Sequence, residues 1–378
     1  MKIKPIFRAQ LGISSLLQVL MVRGQPDKQY CTKAHSNHNL HQLTTMHNTP
    51  DEFEIIKKYF LPLTNGNKAA NMLHDDVATI SVGSKKDLIV SKDLMAEGVH
   101  FNKDDGAYNI ACKLLKTNLS DIAAAGGKPL YYLLGFSQNQ NLDKNFVKEF
   151  CRGLKDVSKQ FSLDLIGGDS IKTKDKLCFS VTIFGEIAKK KSLKRNSAKN
   201  GDLIFVSGDI GDAFLGLNLL QKNITISNKI HQKYLLERHL QPIPRVNLGM
   251  ELIRQNLSQA AIDISDGFLA DLLHICEASK LDAVVHQSAI PISTAAKFCL
   301  SKNDTINLNQ LLSGGDDYEL IFTASATNQS KIEKLAKKIG VKITCVGCFK
   351  QSKNQPKIEL LDDENKLVKL DSYGWKHY

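Results

Sequence analysis

The stretch AAIDISDGFLADLLHICEA (260–278) decides the fold. Ala260–Ile264 is a run of strand length, apolar except for Asp263, and Gly267 opens Phe268–Ala278, which has helical spacing. Asp263 and Asp266 bracket Ser265 in the turn between them. Carboxylates placed where a strand ends and a helix begins are held rigidly. The helix start offers backbone N–H groups to an anion, and the two carboxylates suit its counter-cation. This strand–turn–helix unit belongs to an α/β protein.

Further acidic signatures lie on either side of it. Asp75-Asp76 stands before an expected strand, Val77–Val82. Ser91-Lys92-Asp93 closes an expected strand at Leu88–Ser91. Asn118 and Asp121 share one face of an expected helix, Tyr108–Ala125. Gly167-Gly168-Asp169 follows an expected strand, Leu163–Ile166, where glycines let a phosphate approach the backbone. Ser313-Gly314-Gly315 before Asp316-Asp317 reads as an anion nest. Taken singly, an acidic pair is a turn, His100 is a satisfied histidine, and Asp121 is either a buried hydrogen-bond partner or a metal ligand. Six such motifs in one chain point instead to a metal–nucleotide site. Hard oxygen ligands suit Mg²⁺ rather than zinc, and several Mg²⁺ ions suit nucleotide phosphoryl transfer.

Elsewhere strands are expected at Leu130–Phe136, Leu177–Ile187, Leu203–Ser207, Ala283–His286, Glu319–Ala324 and Ile343–Phe349. Helices are expected at Asp143–Phe161, Asp212–Leu220, Arg245–Gln255 and Ser330–Ile339. The charged run Ala188–Gly201 reads as a connection between two α/β halves, which places the site between them. Residues 1–45 read as an extension, or as sequence upstream of a start at Met46. Thr49-Pro50-Asp51-Glu52 then opens a helix over Glu54–Leu63.

The chain has 378 residues, 42% of them apolar and 24% charged, enough for two cored domains. Its net charge is +11. Six of the basic residues but a single acid, Asp27, fall within residues 1–50, so the remainder carries only about half the excess. No basic stripe interleaves with aromatics, so nucleic-acid binding is not indicated, and a modest positive field favours anionic small substrates. The eight cysteines are scattered, as in a reducing, cytoplasmic setting. Cys345-Val-Gly-Cys348 is a lone CxxC and reads as coincidence. No apolar run is long enough to cross a membrane. There is no GxxxxGK[ST], no paired HRD and DFG, no HExxH or zinc-spaced Cys/His cluster, and no GxSxG.

The strings SKDLMAEGVHF (91–101), KTNLSDIAAAGGKP (116–129), LIGGDS (165–170), HLQPIPRVNLG (239–249), AIDISDGFLADLLHI (261–275) and LSGGDDYELIFT (312–323) occur in this order. From about Asp51 to the end, the chain resembles the thiamine-monophosphate kinases, members of the aminoimidazole-ribonucleotide-synthetase-like ATP-binding superfamily. The resemblance implies a two-domain PurM-like fold of the α/β (α+β) class. An N-terminal domain (46–187) would bind ATP and metal and form a homodimer through its mixed sheet, and a C-terminal α/β domain (188–378) would complete it. The implied activity is Mg²⁺- and ATP-dependent phosphorylation of thiamine monophosphate to thiamine diphosphate. The implied metal ligands are Asp76, Ser91, Lys92 through its carbonyl, Asp93, Asp121, Asp169, Asp263 and Asp266. Gly168, Asp169, Arg195 and Ser265 fall at ATP positions, and His100, Asp316 and Tyr373 at substrate positions. The chain departs from the family pattern at His74 (usually Gly), Lys92 (usually Thr), Asp316 (usually Glu) and Asn196-Ser197 (commonly Ser-Gly). Other superfamily enzymes are the nearest competing readings: aminoimidazole ribonucleotide synthetase, selenophosphate synthetase or a hydrogenase-maturation protein. Selenophosphate synthetase would need a reactive Cys or Lys in a glycine-rich N-terminal stretch, which this chain lacks. A non-catalytic nucleotide-binding scaffold would not need an acid at every metal position.

Overall fold

Every second residue from Phe179 to Ile187 is buried, the period of a strand with one face on a core. In the computed structural model, which describes residues 56–67, 83–370 and 373–374, this strand is β4 (Cys178–Ala188). It lies in a four-stranded sheet of order β1 (Lys86–Ala96), β4, β2 (Lys128–Gln138), β3 (Asp164–Lys172). β4 is antiparallel to β1 and β2, and β2 is parallel to β3. Helices α1 (Ala107–Ala125) and α2 (Lys144–Phe161) pack on the inner face. Asp143 caps α2 by accepting the Phe146 N–H at 2.7 Å. Phe179 anchors that core, with ring centroids 4.7 Å from Phe150 and 5.2 Å from Phe136. On the opposite face Val90, Leu94 and Ile171 are exposed.

A second, six-stranded sheet runs in the order β10 (Ile358–Leu361), β7 (Leu281–His286), β9 (Ile343–Gln351), β5 (Leu203–Ser207), β8 (Leu320–Ala324), β6 (Ala260–Asp263). It packs with helices α3 (Asp212–Leu220), α4 (Lys229–Leu240), α5 (Val246–Arg254), α6 (Phe268–Ser279), α7 (Thr294–Leu300), α8 (Leu308–Ser313) and α9 (Gln329–Ile339). The opening stretch is therefore β6, a turn and α6, as its pattern indicates, and the mixed α/β class is met. The apolar cluster of the first sheet continues into Phe205, Leu320 and Phe322 of the second. Helix α1 is the bridge. It lies so close to α5 that a Cβ on Gly249 would stand 2.1 Å from the Ala123 carbonyl oxygen. No helix among the described residues is long and apolar enough to cross a membrane.

Several boundaries differ from expectation. β1 continues past Ser91 to Ala96, so Asp93 sits within a strand rather than at its end. β3 runs through Gly167-Gly168-Asp169 instead of stopping before them. Gly168 is paired with Leu134 of β2, and a Cβ there would lie 2.0 Å from the Leu134 carbonyl oxygen. That glycine serves the approach of two strands. The helix expected over Glu54–Leu63 is, within the described residues, a π-type turn at Ile56–Phe60 followed by a 3₁₀ turn at Leu61–Thr64. Pro62 has no N–H with which to continue an α-helix. Helices α4, α7 and α8 were not expected; α4 is announced only by Asn228, whose side chain accepts the Ile230 and His231 N–H groups. The segment 1–45, the helix opening at Thr49–Glu52 and the strand Val77–Val82 lie outside the described residues.

Candidate active site

The site grows from α1 and the strand beside it. Alternation along β1 turns Ser91 and Asp93 inward toward α1, with Lys92 between them on the other face. Ser91 Oγ donates to Asp121 Oδ2 at 2.5 Å, and the Asp93 N–H donates to Asn118 Oδ1 at 3.1 Å. Beyond α1, β6 ends at Asp263, which is 4% exposed. The three carboxylates feel one another. Burial, then the Asp121 charge, pushes the Asp93 carboxyl up to about 6. Burial also raises Asp121, opposed by the Ser91 hydrogen bond and the nearby Arg195 guanidinium. Asp263 is likewise raised well above its ordinary value, by burial and then by Asp121. Buried acids that repel in this way favour a cation among them.

The turn after β6 is built differently from expectation. The Ser265, Asp266 and Gly267 N–H groups all donate to Asp271 Oδ2, at 3.0, 3.1 and 3.2 Å. The helix start is thus capped by the protein's own carboxylate and does not offer these donors to an anion. Asp271 is pushed up to about 7, by burial and then by Asp266. Its place in the first turn of α6 was the available sequence signal. Across the turn, the Ser265 carbonyl accepts the Asp316 N–H at 2.9 Å. The Gly314 N–H donates to the Leu311 carbonyl at 3.3 Å, which commits one of the donors expected to form a nest at Ser313–Gly315.

Asp316 itself is held from three directions. Lys113 Nζ of α1 donates to Oδ2 at 2.9 Å, Tyr318 Oη donates to Oδ1 at 3.3 Å, and His239 Nδ1 of α4 stands 3.4 Å from Oδ2. Burial would raise this carboxyl, but Lys113 and then His239 outweigh it and hold it below its ordinary value. Asp316 and Tyr318 both have positive φ, 72° and 50°, a costly backbone for residues with side chains. The following residues anchor the loop. Asp317 accepts the Gly211 and Ala213 N–H groups at 2.7 and 3.1 Å, which caps α3. Glu319 is fully buried between Arg238 at 2.9 Å and Arg245 at 2.5 Å, with Ser207 Oγ donating at 2.6 Å.

The remaining candidates divide. Arg195, in the turn that links the sheets, is close enough to lower Asp121. The side chains of Lys92 and Asp169 do not join the inner cluster: Lys92 Nζ lies over Ser180 and Thr182 of β4 at 3.4 and 3.3 Å, on the outer face. The register Gly135–Ser180 and Gly135–Asp169 puts Asp169 on that same outer face. Gly168, beside it, is taken up by its close approach to the Leu134 backbone. His100 Nδ1 accepts the Ala96 N–H at 3.1 Å in the turn after β1. The tail returns to the site, since a Cβ on Gly374 would meet the Asp266 carbonyl oxygen at 2.7 Å, and the neighbouring Tyr373 is 39% exposed. Asp76 lies outside the described residues. Sequence reasoning passed over Lys113, although Lys113, Thr117 and Asp121 follow one another at helical i, i+4 spacing. It also passed over His239 and Tyr318, which only the tertiary fold brings to Asp316.

Among the described residues, no three acidic, histidine or cysteine side chains already converge on one point. The donor set nonetheless suits Mg²⁺. That ion takes one or two carboxylates and fills its octahedron with water and phosphate oxygens.

Residues 74–187 match the family described as AIR synthase related protein, N-terminal domain. The thiamine-monophosphate kinase of Buchnera aphidicola subsp. Schizaphis graminum (strain Sg) is 37% identical over 333 residues, spanning 87% of this chain and 99% of that protein. The solved thiamine-monophosphate kinase from Stenotrophomonas maltophilia K279a is 33% identical, with a TM-score of 0.70 over 78% of this chain and 91% of that one. AaThiL complexed with AMPPCP and TMP is 28% identical, with a TM-score of 0.69 over 80% and 91%.

Proposed function

The chain belongs to the thiamine-monophosphate kinase family, and from that membership we propose how its residues carry the reaction. The protein is a thiamine-phosphate kinase: ATP is the co-substrate, and thiamine monophosphate is phosphorylated to thiamine diphosphate. The observation that carries the residue assignment is the inner cluster, in which Ser91 fixes Asp121 beside Asp93 and Asp263.

The acceptor is a phosphate oxygen, already anionic near neutral pH, so direct in-line attack needs no strong general base. The obstacle is repulsion between two polyanions. Two unit charges about 4 Å apart repel by about 4 kcal/mol at an effective dielectric of about 20. Bound Mg²⁺ supplies the positive charge that offsets this and fixes the approach of the phosphates. Ser91, Asp93, Asp121, Asp263 and Asp266 are the ligands we assign on the inner side. Asp76, Asp169 and the Lys92 carbonyl are assigned to metal on the basis of family position, Asp169 on the outer face and apart from the inner ligands. Gly168, Asp169, Arg195 and Ser265 are assigned to ATP, and Arg195 adds a fixed positive charge beside Asp121. His100, Asp316 and Tyr373 are assigned to thiamine monophosphate.

A homodimer joined through the first sheet fits the exposed Val90, Leu94 and Ile171 on its outer face. It also fits the outward position of Lys92 and Asp169, apart from the inner ligands. The division into domains 46–187 and 188–378 follows the two sheets. A cytoplasmic setting belongs to the same reading, with free thiols at Cys112, Cys151, Cys178, Cys276, Cys299, Cys345 and Cys348. No part in it is assigned to nucleic acid or membrane.

Asp121→Asn tests the assignment, because it keeps size and the Ser91 contact while removing the charge. Turnover is expected to fall by about 100-fold or more with the fold intact by circular dichroism. Turnover within a few-fold of the parent at limiting Mg²⁺ would remove Asp121 from the metal set.

A further inference from the structure

Lys113 is an ammonium 5% exposed in the middle of α1, where an unpaired charge would be prohibitive. Its two polar neighbours both come from the second half of the chain: Asp316 Oδ2 at 2.9 Å and His239 Nε2 at 3.4 Å. Burial, then the Lys113 charge, pushes His239 down to about 4, so near neutral pH its ring is uncharged and accepts from Lys113. Asp316, in contrast, keeps 30% of its side chain exposed. The buried cation therefore grips a carboxylate that is still partly open to solvent, and it joins α1 to the loop before β8.

We propose that Lys113 is a positioning residue for the acceptor side of the site, acting through Asp316. This rests on the assignment of Asp316 to thiamine monophosphate. The pair has two consequences. The Lys113 charge offsets that of Asp316, so the carboxylate does not repel the incoming phosphate. Lys113 and Tyr318 each take one acceptor position on Asp316, the His239 Nδ1–H stands beside a third at 3.4 Å, and a carboxylate has about four. Capacity remains for an N–H donor, such as the exocyclic amine of the acceptor's aminopyrimidine. The left-handed backbone at Asp316 and Tyr318 is fixed by their N–H groups, which donate to the Ser265 and Ile264 carbonyls at 2.9 and 2.8 Å, so what Lys113 sets is the direction of the Asp316 carboxylate on that backbone.

Lys113→Met removes the charge while filling the same buried volume. Its KM for thiamine monophosphate is expected to rise about 10-fold or more, as for a lost charge-assisted hydrogen bond, with KM for ATP within about two-fold of the parent. Asp316→Asn is expected to show the same selective rise, and the double variant to be no worse than either single one. If Lys113→Met does not yield folded protein, Lys113→Gln carries the same comparison with a donor retained. Equal rises in both KM values, a fall in kcat alone, or additive effects in the double variant would overturn the role of Lys113. If Asp316→Asn leaves KM for thiamine monophosphate unchanged, it is the assignment of Asp316 that fails. If Asp316→Asn raises it and the Lys113 variants do not, the assignment stands and the positioning role falls.

Discussion

The Asp93 carboxyl, pushed up to about 6 by burial and then by Asp121, carries a pH prediction of its own. In the unfolded chain it titrates near its ordinary 3.8. Between those values the folded protein holds the proton more tightly, so metal-free stability falls as pH rises through this window. A divalent cation needs the ionised form and therefore competes with that proton. Added Mg²⁺ is expected to raise the Tm more at about pH 7.5 than at about pH 5, by thermal melts against a chelator control. An equal increment at both would contradict a cation site that includes Asp93. At this scale much was legible from sequence. Ser91, Asp93, Asp121 and Asp263, which the fold brings together, stand out in the sequence because short acidic motifs beside apolar runs are local patterns. Lys113, His239 and Tyr318 do not, because what defines them is a shared partner, Asp316, reached only after α1, α4 and the 313–318 loop are packed. Asp271 was hidden for a different reason: three N–H groups that look available in a sequence are already bonded to it.

Among elements, the strand–turn–helix at 260–278 was read correctly because its apolar run and helical spacing are contained within it. β1 and β3 were cut short. Each is an edge strand, and its length is set by pairing with β4 or β2 rather than by its own residues. β3 crosses two glycines that a local reading takes for a loop. The short, weakly patterned helices α7 and α8 were missed for the same reason, since their stability comes from packing. The base of the 313–318 loop illustrates how elements hold the site. Glu319 joins β8 to Arg238 of α4 and to Arg245 at the start of α5, with both guanidinium groups largely buried. Glu319→Gln leaves those two cations without their counter-charge and is expected to cost about 3–5 kcal/mol of stability. Denaturant unfolding measures it; a loss below about 1 kcal/mol would show that the arginines find other partners.

At the scale of the molecule, α1 carries the argument from fold to function. One of its faces gives Asn118 and Asp121 to β1, while Lys113 reaches Asp316 and the Ala123 carbonyl meets Gly249. The inner acids thus come from both sheets yet form one electrostatic cluster, and Asp316 is presented at its edge. Such a cluster suits kinase chemistry without a phosphate-binding loop, because cations held by these acids would take over the work of the loop's N–H groups and lysine. The measurement that tests this account most directly is ADP release from ATP and Mg²⁺ with thiamine monophosphate, with thiamine, or with no acceptor. A signal is expected only with the monophosphate, matched mole for mole by thiamine diphosphate. ADP release that is indifferent to the acceptor, or stronger with thiamine, would contradict it.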